Sequence, residues 1–198
     1  MNLEEALAAP AELVAPRLLG ASLTHAGVTV RLTEVEAYAG AADPGSHAYR
    51  GRTKRNDVMF GPAGHLYVYF TYGMHTCANI VCGEEGTASA CLVRAGEIID
   101  GKEIARERRL GARDRELARG PARLCQALAI RLEDNGAALD GEGFELHLDE
   151  PVASYETGPR VGLRGAPERP WRFWIPGEAT VSVYRPAKRL EKRPERLL

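Results

Sequence analysis

The chain has 198 residues, of which 44% are hydrophobic and 27% are charged, as in a soluble globular domain. No apolar run approaches the roughly 20 residues that a membrane-spanning helix needs, so we expect no membrane association. The formal net charge of −1 excludes neither DNA nor another charged partner. An acidic start without the cations of a secretory signal, and four cysteines without a Cys-x-x-Cys pair, are typical of a cytoplasmic protein.

The first half of the chain is predicted to contain a helical segment followed by paired strands. Leucines recur at helix-like spacing over residues 3–19, although two prolines interrupt them. Alternating and β-branched residues over 21–38, with a His-Ala-Gly turn between them, predict a β-hairpin. Residues 39–63 read as a loop, and a loop of this length is uncommon unless it has a function. Residues 65–82 predict a second hairpin that turns at Gly73.

The second half is predicted to add helices to the sheet. A strand at 89–94 is followed by helices at 98–110 and 114–119, and Pro121 begins another helix that runs through Ile130. Further short strands are predicted at residues 161–163, 171–175 and 179–184. Strands on both sides of a helical insertion, without a linker, predict a single α+β domain over residues 1–198. Its core would be a curved antiparallel β-sheet with surrounding helices and a protruding β-hairpin.

Charged residues are distributed unevenly along the sequence. Residues 50–55 contain four cations and no acid, and residues 102–123 contain eight cations against four carboxylates. By contrast, residues 132–150 contain seven acids and neither Lys nor Arg. One cationic side would suit a protein that meets phosphate on that face, whereas ordinary solvated surfaces would explain the clusters as well.

The segment Glu34-Val-Glu-Ala-Tyr38 concentrates candidate catalytic groups. Strand side chains alternate, so Glu34, Glu36 and Tyr38 are predicted to lie on one face. Glu36 is the best candidate for a general base, because hydrolysis of a bond to a sugar carbon requires a carboxylate that activates water. The alternative is that either glutamate only pairs with an arginine. A mechanism that uses both carboxylates is disfavoured, since their side chains would lie about 7 Å apart and point the same way.

Aromatic residues could form the walls of a slot beside these carboxylates. Tyr67 and Tyr69 share one face of their predicted strand, and Tyr38 and His47 could complete a slot with Tyr69. Aromatic faces attract cations, so such a slot would prefer a positively charged base. Alternating tyrosines are also common in ordinary strand packing, and a single loop histidine is usually only a polar residue.

Tyr72 lies at the predicted hairpin tip, where a large aromatic side chain is exposed unless it inserts into something. Proteins that kink or open duplex DNA use such wedges. Met74 could assist Tyr72, and the loop at residues 50–55 would lie nearby and could hold phosphates. These features predict a DNA-binding surface around the hairpin.

Seven segments of the sequence, in the same order, resemble the alkyladenine (3-methyladenine) DNA glycosylases. The resemblance covers residues 14–185, and the short N-terminus is similar to that of the bacterial branch. The segments are Thr33-Glu-Val-Glu-Ala-Tyr38, the Ser46-His47 loop that leads to Arg52-Thr-Lys-Arg-Asn56, Met59-Phe60, Gly64-His-Leu-Tyr-Val-Tyr-Phe-Thr-Tyr-Gly-Met74, Asn79, Leu92-Val-Arg-Ala95 and Gly120-Pro-Ala-Arg-Leu-Cys-Gln-Ala-Leu128.

The resemblance implies catalytic and base-binding roles for particular residues. Glu36 matches the general base that deprotonates the attacking water, and Arg94 matches the arginine that helps to hold this water. Tyr38, His47 and Tyr69 match the residues that enclose the flipped base, and the backbone amide of His47 contributes a hydrogen bond to it.

The resemblance also implies how DNA is bound. Asn79 matches the residue that discriminates against guanine by crowding its exocyclic amine. Tyr72, assisted by Met74, matches the intercalating tyrosine that fills the gap in the duplex, and Arg52 lies where the family contacts a phosphate. The implied partner is double-stranded DNA with damaged purines, with no cofactor and no metal, and a monomer is the simplest expectation.

Substrate and mechanism can be narrowed further, and three alternatives stay open. N3- or N7-alkylated purines are cationic leaving groups, so they rank above hypoxanthine and ethenoadenine. No lysine in the matched segments is suited to form a Schiff base, which predicts base release without strand cleavage.

The alternatives are a DNA-binding module without catalysis, a hydrolase of free nucleosides, and a zinc enzyme. A zinc site would use His47, His65, His75 and Cys77, whose spacing is unlike familiar ligand patterns.

Overall fold

The fold is an antiparallel sheet, seen in a computed structural model that describes residues 2–71, 73, 75–141 and 143–187. In these ranges eight strands form one sheet: β1 (Ser22–His25), β2 (Val28–Tyr38), β3 (Leu66–Thr71), β4 (His75–Val81), β5 (Ala90–Asp100), β6 (Phe144–His147), β7 (Glu156–Gly158) and β8 (Arg172–Trp174). The strand order is β3-β4-β5-β2-β1-β6, and β8 pairs with both β2 and β7. Few helices accompany a curled sheet, which confirms the α+β prediction.

Short helices pack against this sheet. They are α1 (Leu3–Leu7), α2 (Ala11–Leu18), α3 (Lys102–Arg108) and α4 (Pro121–Ala127). Asn2 and Glu5 close a capping box at the start of α1, since each side chain accepts a hydrogen bond from the other residue's backbone amide. The segment predicted as helical at 3–19 contains two helices, with residues 8–10 between them. Within the described residues, no helix combines the length and apolar character that a bilayer crossing takes.

The two predicted hairpins are present. β1 pairs with β2 from Ser22 opposite Arg31 to His25 opposite Val28. β3 pairs with β4 along its whole length, and Gly73 has the positive φ of +68° that the predicted turn requires. Because β4 pairs with β5 only through the segment 79–81, Phe70, Thr71 and the start of β4 at His75 have no pairing with β5.

The helix predicted at 98–110 begins later, at Lys102. Ile98 continues β5, which extends to Asp100, and the chain then turns at Gly101 with a φ of +68°. A side chain at Gly101 would place its Cβ 1.9 Å from the carbonyl oxygen of Gly27, so glycine is needed where the two turns touch. The helix predicted at 114–119 is likewise reduced to a 3₁₀ turn at Asp114–Glu116.

Two of the strands predicted in the last third of the chain are absent, and the helix predicted from Pro121 through Ile130 is shorter than predicted. The strand at 171–175 exists as β8, whereas residues 161–163 and 179–184 form no strand. Their backbone amides have other partners, because Val161 donates to Glu36 and Ser182 donates to Glu34. Helix α4 ends before Ile130, since the chain adopts a positive φ of 54° at Ala129.

The central pair of strands, β2 and β5, is bulged. The register advances from Leu32 opposite Gly96 to Glu34 opposite Ala95, and then to Val35 opposite Val93. One residue on each strand, Thr33 on β2 and Arg94 on β5, is thereby left without a cross-strand partner. A bulge bends its strand and re-aims a side chain. The bulge on β5 places Arg94 beside the glutamates of β2.

Candidate active site

A cavity of about 330 Å³ is lined by strands β2, β3, β4 and β5, by the start of α4 and by residues of two connecting segments. Its size is near the lower end of the range of about 300–1,000 Å³ that is common for small-molecule sites. Every residue predicted as catalytic or base-binding contributes to its lining. These residues are Glu36, Tyr38, His47, Tyr69, Asn79 and Arg94.

Glu36 contributes to the lining of this cavity and has no exposed side-chain surface. Its Oε1 accepts a hydrogen bond of 2.7 Å from the backbone amide of Val161. Its Oε2 accepts a hydrogen bond of 2.9 Å from the Tyr38 hydroxyl and lies 3.4 Å from Nη1 of Arg94. A carboxylate has about four lone-pair sites, so these partners leave it capacity to accept a proton from water.

Glu34 lies on the same side of β2 but outside the cavity lining. It forms ion pairs with Arg94 at 2.9 Å and with Arg172 at 2.7 Å. Burial alone would raise the pKa of Glu34, but the two guanidinium groups outweigh it and hold the pKa below its ordinary value. Pairing with arginine, the ordinary alternative considered for both glutamates, thus describes Glu34 well.

Arg94 connects the two carboxylates. Burial would lower its pKa, but Glu36 and Glu34 together raise it above the ordinary value, so the guanidinium stays charged. Its Nε donates to Glu34, its Nη1 faces Glu36, and its Nη2 donates to the Ser182 hydroxyl at 3.3 Å.

Three aromatic rings form one wall of the cavity. Tyr67 and Tyr69 stack with their centroids 5.5 Å apart, as expected for neighbours on one strand face. His47 packs edge-on against Tyr69 at 4.5 Å, and its Nδ1 lies 3.1 Å from the Tyr67 hydroxyl. Partial burial and the nearby cation of Arg55 lower the pKa of His47, so its imidazole is neutral at neutral pH. Tyr67 was not among the predicted wall residues, although its alternation with Tyr69 indicated a shared face.

Tyr38 forms another part of the wall, and the Arg160 guanidinium packs against its ring. Burial, followed by the charge of Glu36, raises the pKa of its hydroxyl well above the ordinary value, so this group stays protonated and donates. The guanidinium of Arg160 lies 4.6 Å from the centre of the Tyr38 ring and 5.3 Å from that of Trp171.

A buried ion pair that the sequence did not reveal supports this side of the cavity. Arg160 is 2% exposed, and its Nη2 donates to Asp43 at 2.7 Å while its Nη1 donates to the Ala37 carbonyl at 2.9 Å. The two loops approach so closely that a Cβ at Gly45 would lie 2.4 Å from Leu163. No local pattern relates Asp43 to a partner 117 residues away, so only the folded chain shows the pair.

Asn79 lies on β4, is buried and contributes to the cavity lining. Its Nδ2 donates a hydrogen bond of 3.1 Å to the backbone carbonyl of Tyr67, the residue opposite it in the β3–β4 register. This bond holds the amide of Asn79 in place.

The residues predicted to meet DNA are only partly within the described chain. Tyr72 and Met74 lie outside the described residues. Arg52 is exposed, forms an ion pair with Asp57 and lies 5.5 Å from the centre of the Phe60 ring. The loop is next to the hairpin, as expected, because Arg55 donates to the carbonyl of Phe70 at 3.3 Å.

Much of the basic segment at 102–123 has structural partners. Arg106 pairs with Asp114, Arg108 donates to two backbone carbonyls, and Arg119 donates to the Val181 carbonyl. These contacts favour the structural interpretation of this cluster over a dedicated phosphate surface.

The zinc alternative finds no ligand set in the structure. Among the described residues, no group of three or more His, Cys, Asp or Glu side chains is arranged to hold a metal ion. The four cysteines are free and buried, and Cys77 lines the cavity with Tyr69 opposite it on β3.

Comparisons with known proteins show the family of the chain. Residues 5–179 match the family described as Methylpurine-DNA glycosylase (MPG). A relative from Nocardia farcinica is 51% identical over 199 residues, covering 96% of this chain and 93% of the relative. A relative from Streptomyces avermitilis is 56% identical over 192 residues, covering 91% and 90% respectively. Both carry the name "Putative 3-methyladenine DNA glycosylase". The chain belongs to the methylpurine-DNA glycosylase family and is a DNA glycosylase, a hydrolase that acts on DNA.

Proposed function

We propose that this glycosylase excises alkylated purines, 3-methyladenine among them, from double-stranded DNA and so initiates base excision repair. The observation that carries the proposal is the Glu36 carboxylate, beside Arg94, in the lining of a cavity that Tyr38, His47, Tyr67 and Tyr69 also line. A base stacked in a duplex cannot reach such a cavity, so the nucleotide must first leave the helix, at a cost of a few kcal/mol.

The aromatic walls favour a cationic base. A purine that enters beside Tyr69 would present its ring to Tyr38 and His47, and the stacking attraction is stronger when the purine carries a positive charge. The neutral state of His47 suits this substrate, because a charged imidazole would repel an alkylated purine. Asn79 in the cavity lining would crowd the exocyclic amine of guanine.

Hydrolysis proceeds by attack of water on the sugar carbon that carries the base. Glu36 takes one proton from the water, the oxygen bonds to that carbon, and the electrons of the broken C–N bond leave with the purine. An N3- or N7-alkylated purine departs as a neutral molecule, so no acid is needed at the base. The Arg94 guanidinium orients the water beside Glu36, and no lysine takes part, so the DNA strand is left intact.

Glu36 contributes to the cavity lining but has no exposed side-chain surface in this structure, so water must enter through the cavity to reach it. The Tyr38 hydroxyl occupies Oε2 in this structure. Entry of the base and its water therefore requires this hydroxyl to share Oε2 or to turn away from it.

The rest of the assignment concerns how DNA is held. Tyr72, assisted by Met74, would fill the space that the extruded nucleotide leaves, and Arg52 would exchange Asp57 for a phosphate oxygen. We take the chain to act as a monomer with one glycosylase domain. The main hydrophobic core includes residues from Leu7 to Phe173, which supports the single domain.

The proposal is tested by incubating methylated duplex DNA with the protein and separating the released bases by chromatography. Release of 3-methyladenine from duplex, with little release from the free alkylated nucleoside, is the expected result. A nucleoside hydrolase would act on both substrates. Binding to the duplex without release of any base would favour a DNA-binding module and would overturn the proposal.

A further inference from the structure

Glu34 is buried beside the catalytic pair and has no route to a substrate. Its side chain has no exposed surface, and it does not line the cavity. Its two oxygens accept hydrogen bonds from Arg94 Nε, Arg172 Nε and both the amide and the hydroxyl of Ser182. All four distances lie between 2.6 and 2.9 Å. A carboxylate so well supplied with donors is anionic and rigidly held.

The contacts of Arg94 are unequal. Its bond to Glu34 measures 2.9 Å, whereas its closest approach to Glu36 is 3.4 Å, longer than a well-formed charged hydrogen bond. The guanidinium has two edges, and each edge presents two parallel N–H groups that fit a carboxylate. Glu34 accepts from Nε and Ser182 accepts from Nη2, so the edge formed by these two nitrogens is not available to Glu36. The contact of Arg94 with Glu36 is made by Nη1.

We infer that Glu34 is a positioning residue that keeps Arg94 from closing onto Glu36. If the negative charge of Glu34 were removed, Arg94 could rotate and pair with Glu36 through two hydrogen bonds. Both oxygens of the base would then be covered, and the site for the attacking water would be lost. This inference rests on the proposed function, because it assigns Glu34 a part in the same reaction.

The charges around the cluster support the same conclusion. Glu34 and Glu36 are balanced by Arg94 and by Arg172, which donates to Glu34 at 2.7 Å and to the Ser182 carbonyl at 2.8 Å. The neutral groups that face Glu36 are the Tyr38 hydroxyl and the Val161 amide. Among the described residues, Glu34 and Glu36 are the carboxylates that pair with Arg94, so loss of the Glu34 charge would leave Glu36 as its anionic partner in this cluster.

The test compares Glu34→Gln with Glu97→Gln as the matched control. Glu97 lies on the neighbouring strand β5, its side chain is 48% exposed, and it pairs with Arg31 rather than with the site. Single-turnover release of base from methylated duplex should fall about tenfold or more for Glu34→Gln and stay unchanged for Glu97→Gln. Affinity for a duplex with an uncleavable abasic-site analogue should change less than about twofold, which separates an effect on the reaction from one on DNA binding.

A double-mutant cycle shows whether Glu34 acts through Arg94. Glu34→Gln should cost little further activity in an Arg94→Met background, because the guanidinium that it positions is gone. Equal losses in both backgrounds would overturn the inference and assign Glu34 a purely structural role. If Glu34→Gln fails to fold, Glu34→Asp serves in the same cycle, because its shorter side chain would break the bond to Arg94 Nε and release the guanidinium; its loss of activity should likewise disappear in the Arg94→Met background.

The two proposals fail in different ways. An active wild type with an unimpaired Glu34→Gln variant overturns only the positioning role. A wild type that releases no base overturns the proposed function and this inference together.

Discussion

Replacing Asp43 by asparagine should destabilise the protein strongly, although this residue lies on a loop. Its carboxylate and the Arg160 guanidinium are both without exposed surface, and Arg169 lies 3.9 Å away on the other side. Asparagine has nearly the same shape but no charge, so it would leave Arg160 as an unbalanced buried cation. Removing one partner of a buried pair costs about 3–5 kcal/mol.

That loss is a large part of the stability of about 5–15 kcal/mol that is usual for a folded domain. For a chain of this length it corresponds to a fall in Tm of about 6–20 °C. The assay is thermal unfolding followed by circular dichroism, with urea unfolding as a second measure. Asp114→Asn is the matched control, because Asp114 also pairs with an arginine, Arg106, but in an exposed position. Its effect should be much smaller, since solvent screens an exposed pair.

The same pair sets a dependence on pH. Burial would raise the pKa of Asp43, but Arg160 outweighs it and holds the pKa below the ordinary value of 3.8. The stabilisation is therefore fully present above about pH 4 and is lost as the pH falls through the lowered pKa. The difference in stability between wild type and Asp43→Asn should be constant from pH 7 to 5 and shrink below pH 4. Equal losses of Tm for Asp43→Asn and Asp114→Asn would refute this account of the buried pair.

Other predictions concern the reaction and the DNA. Tyr38→Phe removes the hydroxyl that occupies Glu36 but keeps the ring, so single-turnover release should stay within about threefold of wild type; a loss of a hundredfold would show that the hydroxyl is needed. Asn79→Ser should allow release of unmodified guanine, seen by chromatography, and unaltered selectivity would remove its assigned role. Affinity for duplex DNA should fall steeply with salt, and Arg52→Gln should lower the slope by about one; a salt-independent affinity would contradict the phosphate contacts.

The residues of the cavity could be predicted where local periodicity governs their positions. Alternation along β2 places Glu36 and Tyr38 on one side, and the Tyr38 hydroxyl indeed contacts the Glu36 carboxylate. Alternation along β3 likewise stacks Tyr67 on Tyr69. The positions of Arg94 and Asn79 came from the family resemblance, and the structure brings both to the same cavity.

What the sequence could not predict depends on contacts between distant segments. The isoleucines at the end of β5 fit a strand or a helix equally well, and pairing with β2 decides between them. Residues 179–184 alternate like a strand, yet their amide at Ser182 is used by Glu34. The pairing of Asp43 with Arg160 joins two loops without a motif in either, so no pattern within one segment could reveal it.

The central claim is that the Glu36 carboxylate activates the water that releases the base. Glu36→Gln keeps the shape of this side chain and removes its ability to take a proton. We predict that single-turnover release from methylated duplex falls at least about 100-fold, while affinity for a duplex with an abasic-site analogue stays within about threefold of wild type. A Glu36→Gln enzyme that releases 3-methyladenine at the wild-type rate would contradict the account.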